Sequence, residues 1–435
     1  MRIGSSCTRA WSTMTDESPP SYDRTVAHER DVSRYRHSYP QFDYEERIDD
    51  LAQRLETSEA DAAVLPNYVD LTYYTGSGQP ANLYVPVGDG RSARLFVRRA
   101  MAFARQEVEL PDRYLERGGL SALAEYAGDV ATLAVPLDAV PAAITSKLAA
   151  VLDAELVDVS DIVLSQRATK AEGEVELLTE AAELYEVAHD AIRRRAAPGV
   201  TEKEVAGEVI GALVAAGMDD RIFFRRWDAR LPAAGLIASG DVLPLVSGHA
   251  MTVTGTGVAR SMPWGPSNRP LENGDFLAAD IALNWAGYHG DVARTYVVGD
   301  ATPDQREWFR KVLTIHEEAR NAVESGVSAE APYLAARECA EKLGVAEWLC
   351  GYAEMQAPYI GHSIGLEADE EPTLVQGNTT ELREGMVVTI EPKLIHPDHG
   401  TVVVEDDYLV TDSGVDRLST TPQKLFEIQT GNNES

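Results

Sequence analysis

The chain has 435 residues and a hydrophobic fraction of 44%, enough for two domains, or one large and one small domain, with well-filled cores. Its formal net charge is −31, and seven of its 39 basic residues are lysines. This composition indicates a surface adapted to high salt, as in halophiles, or simply an acidic cytoplasmic protein. Either surface would repel a nucleic-acid backbone or an anionic membrane, so we expect neither as a partner.

The N-terminal residues 1–37 are polar and rich in Arg and Ser, which indicates a flexible extension. They lack the apolar region of a secretory signal, and no apolar run in the chain reaches the about 18 residues of a transmembrane helix. The three cysteines, Cys7, Cys339 and Cys350, are odd in number and lack CxxC spacing, which favours a reducing compartment. We therefore expect a cytoplasmic protein.

Strands alternate with helices over residues 38–162, which is typical of a small α/β domain. Short β-prone runs predict strands at residues 62–66, 81–87, 93–97, 131–135 and 155–158. Helical periodicity predicts helices at residues 44–55, 120–126 and 142–152. Residues 71–78 read as a strand or as a helix end that breaks at a Gly-rich turn.

A linker near residues 160–169 is expected to lead into a second domain, residues 163–425, and residues 426–435 are expected to form a tail. Helices are predicted at residues 170–197, 202–216, 303–325 and 329–343. The second of these follows Thr201, with Glu204 placed as in a capping box. Strands are predicted at residues 234–239, 243–246, 356–362, 386–391 and 401–411.

The most informative stretch is residues 274–299, GDFLAADIALNWAGYHGDVARTYVVG, where two β-prone runs flank a small-residue turn. Each run carries one acid, Asp280 or Asp291, and the two are symmetric about the centre of residues 284–287. In an antiparallel hairpin closed there, they would lie opposite each other on one face. A buried pair of like charges is costly unless a cation neutralises it. The stretch therefore indicates half of a metal site, and the alternative is an ordinary hairpin with two solvated acids.

Three later residues could complete such a site. His362 ends a strand-like run, Glu391 ends the strand in GMVVTIEP, and Glu405 lies central in GTVVVEDDYLV. Singly they read as a turn histidine, a strand exit and an exposed acid. Jointly they favour a shared site over three unrelated roles, because an unpaired charge buried in an apolar strand costs several kcal/mol. Four carboxylates and one imidazole suit two divalent ions, with Mn favoured and Co, Zn or Fe possible, and such a pair suits hydrolysis.

As a set, Asp280, Asp291, the YIGHSIGLEADEEP run, the IEP triplet and the VVED run resemble the pita-bread metallopeptidases. That group includes aminopeptidase P, prolidase, methionine aminopeptidase and creatinase. The first domain resembles the creatinase/prolidase N-terminal domain in size, α/β pattern and its YYTG element. The resemblance implies an α/β (α+β) fold, with a small creatinase-like N-terminal domain and a C-terminal pita-bread domain.

The resemblance also implies roles for the candidate ligands. Asp280 would chelate the first metal ion, Asp291 and Glu405 would bridge both ions, and His362 and Glu391 would belong to the second. Glu391 would also handle the proton of the attacking water. A homodimer is implied as well, because relatives with this N-terminal domain are often dimeric.

Two histidines that contact the substrate in such peptidases are replaced here. One position is Trp264, interpreted as a packing residue or a wall of the substrate site. The other is Asp369, in the run EADEE. It is a solvated acid, a general base near the metals, or a carboxylate that receives a cationic substrate group. His249 or His289 could supply the missing contacts, although a lone histidine in a Gly-rich loop is more often not catalytic.

The leading hypothesis is a cytoplasmic dinuclear metallohydrolase of the Xaa-Pro aminopeptidase or dipeptidase type. It would cleave a peptide or amide C–N bond of a small substrate with a metal-bridging hydroxide. The replacements at Trp264 and Asp369 motivate a second hypothesis, an amidohydrolase or lyase that acts on a small zwitterionic solute. A third is a non-catalytic binding module of the same fold.

Overall fold

The computed structural model describes residues 36–88, 90–232, 235–247 and 254–429. From Tyr39 onward these residues form one compact unit. The predicted flexible extension lies almost wholly outside the described residues. No helix in the described part of the chain combines the length and the apolar character needed to cross a membrane.

A six-stranded sheet forms the N-terminal part. Its strands are β1 (Ala62–Leu65), β2 (Ala81–Pro86), β3 (Arg94–Val97), β4 (Leu115–Arg117), β5 (Thr132–Val135) and β6 (Glu155–Asp158). Their order is β4-β3-β2-β1-β5-β6, with β1 antiparallel to β2 and parallel to β5. Side chains of β1 alternate between two cores, since Ala62 and Val64 pack on one side and Ala63 and Leu65 on the other. The central strands of this sheet are therefore buried on both faces, as their apolar side chains require, whereas the edge strands β4 and β6 carry exposed charged residues.

Helices cover this sheet. They are α1 (Tyr44–Leu55), α2 (Tyr68–Thr75), α3 (Met101–Glu107), α4 (Leu120–Ala127), α5 (Ala142–Leu152) and α6 (Ser160–Ala168). The ambiguous residues 71–78 are a helix end, because α2 stops at Gly76, whose φ is +72°. The predicted linker at residues 160–169 was wrong. It is α6, tied to the sheet domain by Gln166, whose Oε1 accepts from the Tyr74 hydroxyl at 2.7 Å.

The helices of the second part lie before the strand Leu236–Ser239 and after the strand Tyr288–Val298. They are α7 (Glu172–Glu183), α8 (Tyr185–Arg195), α9 (Glu202–Ala215), α10 (Pro303–Asn321) and α11 (Ala331–Lys342). The single helix predicted at residues 170–197 breaks at Leu184, whose N–H donates to Ala181 O, three residues back, in a tighter 3₁₀ turn. The capping box at Thr201 and Glu204 is confirmed, since each residue's side chain accepts from the other's backbone N–H.

The strands of the second part form three sheets. They are β7 (Leu236–Ser239), β8 (Phe276–Trp285), β9 (Tyr288–Val298), β10 (Val387–Ile390), β11 (Lys393–His396), β12 (Gly400–Val403), β13 (Asp406–Thr411), β14 (Gly414–Arg417) and β15 (Phe426–Ile428). The sheet orders are β15-β9-β8-β7, β10-β13-β14 and β11-β12.

Four sequence predictions differ from these strands. Residues 243–246 and 356–362 are loops and isolated bridges. Residues 401–411 form two strands, because β12 pairs with β11 whereas β13 pairs with β10. Residues 426–428, predicted to start a tail, form β15 beside β9, where Phe426 stacks on Tyr296.

Period-two alternation in β8 and β9 separates an apolar face from the face that carries the acids. Leu277 and Ile281 pack into the core under α7 and α8, whereas Ala278 packs into the core shared with α10 and α11. Asp280 continues the Ala278 series, and Asp291 has the same parity as Ala293 on that side. The fold therefore aims both acids at the side from which β10 and β13 approach.

Candidate metal centre

The β8–β9 hairpin carries both acids, but its register differs from the prediction. The turn residues are Ala286 and Gly287, both with positive φ, 55° and 88°. This is the backbone of a type I′ turn, which favours glycine. Asp280 therefore pairs with Ala293 rather than with Asp291. The prediction that the two acids face each other directly was wrong, yet a two-residue shift keeps them on one face as diagonal neighbours.

Three other chain segments bring the remaining candidates to this face. His362 lies in a loop fastened to β10, where the Thr389 N–H donates to the His362 carbonyl oxygen at 2.7 Å. Glu391 follows β10 directly. Glu405 lies at the break between β12 and β13 rather than at a strand centre, and its N–H donates to the carbonyl of Ala293 at 3.1 Å. That bridge places Glu405 beside the hairpin.

The five side chains converge in space. Their ligand atoms form two overlapping groups, each with its atoms within 4.8 Å of one another. One group contains Asp291, His362 and Glu405, and the other contains Asp280, Glu391 and Glu405. His362 Nε2 also lies 3.6 Å from Glu391 Oε1, so the pairing implied by the resemblance is sterically available too. All five residues are at most 8% exposed.

The chemistry of this cluster fits a pair of divalent cations. Among the described residues, Asp291 Oδ1 and Glu405 Oε2 are buried oxygens without a hydrogen-bond partner. Burial raises the pKa of both carboxyl groups well above the usual range, and the charges of neighbouring acids, Asp280 among them, raise it further. Cations would remove that cost, and a set of carboxylate oxygens with one imidazole suits Mn, Fe, Co or Zn.

Outer contacts orient two of the candidate ligands. His362 Nδ1 lies 2.9 Å from the carbonyl oxygen of Ser363. A proton on Nδ1 donates to that carbonyl and leaves the Nε2 lone pair facing the acids, the tautomer that a metal ligand needs. The Tyr359 hydroxyl donates to Glu391 Oε1 at 2.7 Å. Both contacts hold a ligand side chain in one orientation.

Sequence reasoning missed Tyr359 and two further residues of the centre. Lys393 is fully buried, and its Nζ contacts Glu391 Oε2. Asp407 Oδ2 accepts from the backbone N–H of Asp291 at 2.9 Å, and burial raises the pKa of its carboxyl group well above the usual range. Lys393 and Asp407 each stand two positions after a candidate ligand, Glu391 or Glu405, which was a usable signal because alternate residues of a strand share a face. Tyr359 carries no such signal.

Asp369 lies beside the centre. It is half-buried, and its charge helps to raise the pKa of the Asp291 carboxyl and of the Tyr359 phenol. Its loop is closed by Ser363 and Glu370, which exchange backbone hydrogen bonds of 3.2 and 2.8 Å. This position does not fit a freely solvated surface acid, and it leaves the general base and the substrate-receiving carboxylate as the open interpretations.

The other candidate substrate residues are placed differently. The Trp264 indole N–H donates to the carbonyl oxygen of Arg230 at 3.1 Å, and the residue is half-buried. His289 is fully buried, with Nδ1 3.1 Å from the Gly365 carbonyl and Nε2 accepting from the Phe223 N–H at 3.1 Å. Burial lowers the pKa of His289 to about 4. Both of its nitrogens serve the fold, so the predicted substrate contact does not fit.

His249, the other candidate for the missing contacts, lies outside the described residues.

Comparison with known proteins agrees with this geometry. The profile of metallopeptidase family M24 matches residues 176–412, a range that contains all five converging residues. The chain belongs to metallopeptidase family M24. Residues 47–169 match the creatinase/prolidase N-terminal domain. The predicted family and fold class, an N-terminal creatinase-type domain followed by an M24 domain, are thereby confirmed.

Relatives of this M24 chain span most of its length. The Xaa-Pro dipeptidase of Pyrococcus furiosus is 27% identical over 382 residues, which cover 88% of this chain and 99% of that protein. The prolidase structure from Pyrococcus horikoshii OT3 matches with a TM-score of 0.71 at 25% identity, covering 87% and 99% of the two chains. Dipeptidase PepE from Mycobacterium ulcerans matches with a TM-score of 0.73 at 26% identity, covering 90% and 100%.

Proposed function

We propose that this M24 chain is a metal-dependent Xaa-Pro peptidase that hydrolyses the bond between a residue and a following proline in a small peptide. The observation that carries the proposal is the convergence of four buried carboxylates and one imidazole on one face of the β8–β9 hairpin. Support for the substrate class comes from the relatives named Xaa-Pro dipeptidase and prolidase, which align with almost the full chain.

Asp280, Asp291, His362, Glu391 and Glu405 would hold two divalent ions. Such ions supply an activated water and polarise a carbonyl oxygen. Asp291 and Glu405 would be among the residues that hold the ions, because each has a buried oxygen without a protein partner among the described residues.

The chain's own residues would position the reactants and move the proton. Glu391 would take a proton from the attacking water on Oε1, an oxygen held in place by the Tyr359 hydroxyl. Lys393 holds the other oxygen, so the carboxylate has one fixed plane. Asp407 would hold the backbone of Asp291 in place by accepting from its N–H.

Removal of divalent metal should lower kcat/KM for Xaa-Pro dipeptides by at least about 10³-fold, and Mn²⁺ or Co²⁺ should restore it. The measurement compares a panel of Xaa-Pro and matched Xaa-Ala dipeptides before dialysis against a chelator, after it, and after metal return. Circular dichroism checks that the chelated protein stays folded. Full activity in a sample free of metal by elemental analysis would rule out the metal mechanism, and equal turnover of Xaa-Ala peptides would rule out the proline preference.

A second candidate function is favoured by the side chains that stand in place of two substrate-contacting histidines, Trp264 and Asp369. It keeps the metals and changes the reaction, to an amidohydrolase or lyase acting on a small zwitterionic solute. The presence of Asp369 beside the centre supports this alternative, because a carboxylate is a base or a cation receptor rather than an oxyanion donor. Robust turnover of Xaa-Pro dipeptides would make it unnecessary.

In this second function, replacement of Asp369 by asparagine should lower kcat by at least about 10²-fold while KM changes by less than about threefold, as expected for loss of a general base. The exposed neighbour Glu371, replaced by glutamine, is the matched control and should change neither constant. A rise of KM at constant kcat would instead make Asp369 the carboxylate that receives a cationic substrate group. Unchanged kinetics would show that Asp369 is a solvated acid without a role in the reaction.

We further propose manganese as the resident metal, because four of the five candidate ligands are carboxylates. A cytoplasmic location is supported by Cys339 and Cys350, which are both free and buried. A homodimer and tolerance of high salt are proposed from the resemblance and from the net charge of −31. We also propose two domains, residues 38–162 and 163–425; the two matched ranges, 47–169 and 176–412, support a two-domain division, although the first range continues through α6.

A further inference from the structure

A cluster of buried charges joins the N-terminal part of the chain to the loop that carries Asp369. Its members are linked by ion pairs of 2.6 to 3.3 Å. The cations are Arg167, Lys170 and Arg225, and the carboxylates are Asp70, Asp138, Glu367 and Glu370. Five of these side chains are at most 3% exposed, and the most exposed is Asp138 at 33%. Three cations thus face four carboxylates, which leaves one negative charge in excess where water is largely excluded.

The hydrogen bonds show which buried carboxylate is least compensated. Asp70 accepts from two guanidinium groups. Glu370 accepts from Arg167, from Lys170 and from the Glu367 N–H. Glu367 Oε2 accepts at 2.9 Å from Arg167 Nη2, the same nitrogen that donates to Glu370 Oε1 at 2.6 Å. Glu367 therefore shares its donor with a closer competitor.

The two carboxylates that share this nitrogen differ in acidity. Burial raises the pKa of Glu367 to about 7, and the charges of Arg167 and Arg225 oppose this only in part, while Glu370 and Asp70 raise it. For Glu370 the cations outweigh burial and bring the pKa to about 2. Neighbouring groups stay neutral in the range between, because burial lowers the pKa of the histidine and raises that of the tyrosines, namely His289, Tyr73 and Tyr74.

We propose that Glu367 is a positioning residue that takes up the one proton that balances this buried cluster, and so holds the loop of Asp369 in place. Its backbone is part of that loop, since its carbonyl oxygen accepts from the Gly365 N–H at 3.1 Å and its own N–H donates to Glu370 Oε1 at 3.1 Å. With the proton bound, cations and carboxylates are equal in number. Without it, an uncompensated charge remains beside Arg167, and the loop is held less firmly.

The pH dependence has a defined sign. A folded pKa above the ordinary value of 4.5 contributes stability that is present at low pH and is lost as pH rises through about 7. The loop is therefore held most firmly below that pH. The assignment of the proton and its effect on the loop are independent of the proposed function, whereas any effect on turnover rests on it.

Infrared difference spectroscopy of the metal-loaded, full-length protein tests the proton without any substrate. The carbonyl stretch of a protonated carboxyl group should appear in wild type minus Glu367→Gln at about pH 6 and vanish by about pH 8.5. Asp70→Asn removes the excess charge and keeps the proton site, so the band should titrate at least about 1 pH unit lower in this variant. Glu371→Gln, an exposed position of the same loop, is the matched control and should give no such band.

Hydrogen exchange and kinetics test the positioning role. Amides of residues 363–370 should exchange equally in wild type and Glu367→Gln at about pH 6, and at least about threefold faster in wild type at about pH 8.5, because the amide side chain keeps the neutral state. The ratio of kcat of wild type to kcat of Glu367→Gln for an Xaa-Pro dipeptide should fall at least about threefold over the same range. Chemistry at the metal centre is common to both proteins and cancels in this ratio.

Two results would overturn the inference. One is a wild type whose spectrum at about pH 6 lacks the band relative to both Glu367→Gln and Asp70→Asn, so the test survives if one variant fails to fold. The other is a band that titrates as expected while loop exchange and the kcat ratio stay independent of pH, which would leave the proton without a positioning role. Absence of Xaa-Pro turnover in wild type would sink the proposed function alone, because the infrared and exchange results need no substrate.

Discussion

Replacement of Glu405 by glutamine should lower kcat/KM for Xaa-Pro peptides by at least about 10³-fold and release bound metal. Glu405 belongs to both groups of converging ligand atoms, so loss of its charge weakens both ions at once. Glutamine preserves size and one acceptor oxygen, so the effect reports the charge rather than a cavity.

The same substitution should stabilise the metal-free protein, which separates a ligand from a structural acid. Burial and then the charge of Asp291 raise the pKa of Glu405 well above the usual range. A carboxyl group whose pKa is higher in the folded state contributes stability at low pH and loses it as pH rises through the folded pKa. The neutral amide removes this loss, so at pH 7 the chelated variant should melt at a higher temperature than chelated wild type.

Elemental analysis, steady-state kinetics and melting curves before and after chelation measure these effects. Glu324, an exposed glutamate in the loop after α10, gives the matched control Glu324→Gln, which should behave like wild type in all three. Full metal content and activity in the Glu405 variant would contradict the assignment of this residue as a shared ligand.

The β8–β9 hairpin shows which features could be predicted from the sequence and which could not. Period-two alternation was enough to predict that Asp280 and Asp291 share a face. The register of the hairpin depends on which two residues form its turn. The prediction centred the turn on residues 284–287, which makes Trp285 and Ala286 the two turn residues. The structure uses Ala286-Gly287, since a type I′ turn needs positive φ at both positions and glycine accepts it without strain.

Ligand candidates could be predicted because an acid inside an apolar strand requires a partner, and this argument found Glu391 and Glu405. The residues that serve the ligands could not be found in that way. Tyr359 contacts Glu391 across 32 positions, and Asp407 contacts Asp291 across 116. Such pairs form through the tertiary fold, so local periodicity could place Asp407 on the same face as Glu405 but could not predict which residue either side chain contacts.

The burial of His289 could not be predicted from the sequence either. His289 stood in a segment that otherwise suggested a functional site, yet its ring fastens β9 to the loop at Gly365 and to Phe223. In contrast, helices with their own end signals were well predicted, as α1 and α9 show: Asp43 and Thr201 cap them by accepting from backbone N–H groups.

The misread linker at residues 160–169 leads to the strongest expected effect on stability. Replacement of Arg167 by methionine should destabilise the fold by about 3–5 kcal/mol. Arg167 is 2% exposed, and its guanidinium binds Asp70 of α2 at 2.9 Å. It also binds Glu367 and Glu370 of the loop around Asp369, at 2.9 and 2.6 Å. The variant would leave three buried carboxylates without this partner.

Urea unfolding at constant slope measures this change, and Arg310→Met is the matched control. Arg310 pairs with Glu307 on the surface of α10, and loss of such an exposed pair should cost less than about 1 kcal/mol. A double variant, Arg167→Met with Glu370→Gln, should recover part of the stability, because it removes one of the charges that Arg167 neutralises. Equal effects of the Arg167 and Arg310 substitutions would contradict the role of the buried network.

The stability that this network of buried charges contributes depends on pH. Burial alone would raise the pKa of Glu370, but the positive charges of Arg167 and Lys170 outweigh it and bring that pKa to about 2. A depressed folded pKa contributes stability above the ordinary value of 4.5, and this stability is lost as pH falls toward 2. Without Arg167, Lys170 and the Glu367 N–H remain as the groups that lower this pKa, so the variant keeps less of this stability at neutral pH. The difference in stability between wild type and Arg167→Met should therefore be largest at neutral pH and shrink toward pH 2.

Because the Arg167 guanidinium also fixes the loop that carries Asp369, kcat of Arg167→Met should fall in parallel while its metal content stays at the wild-type level.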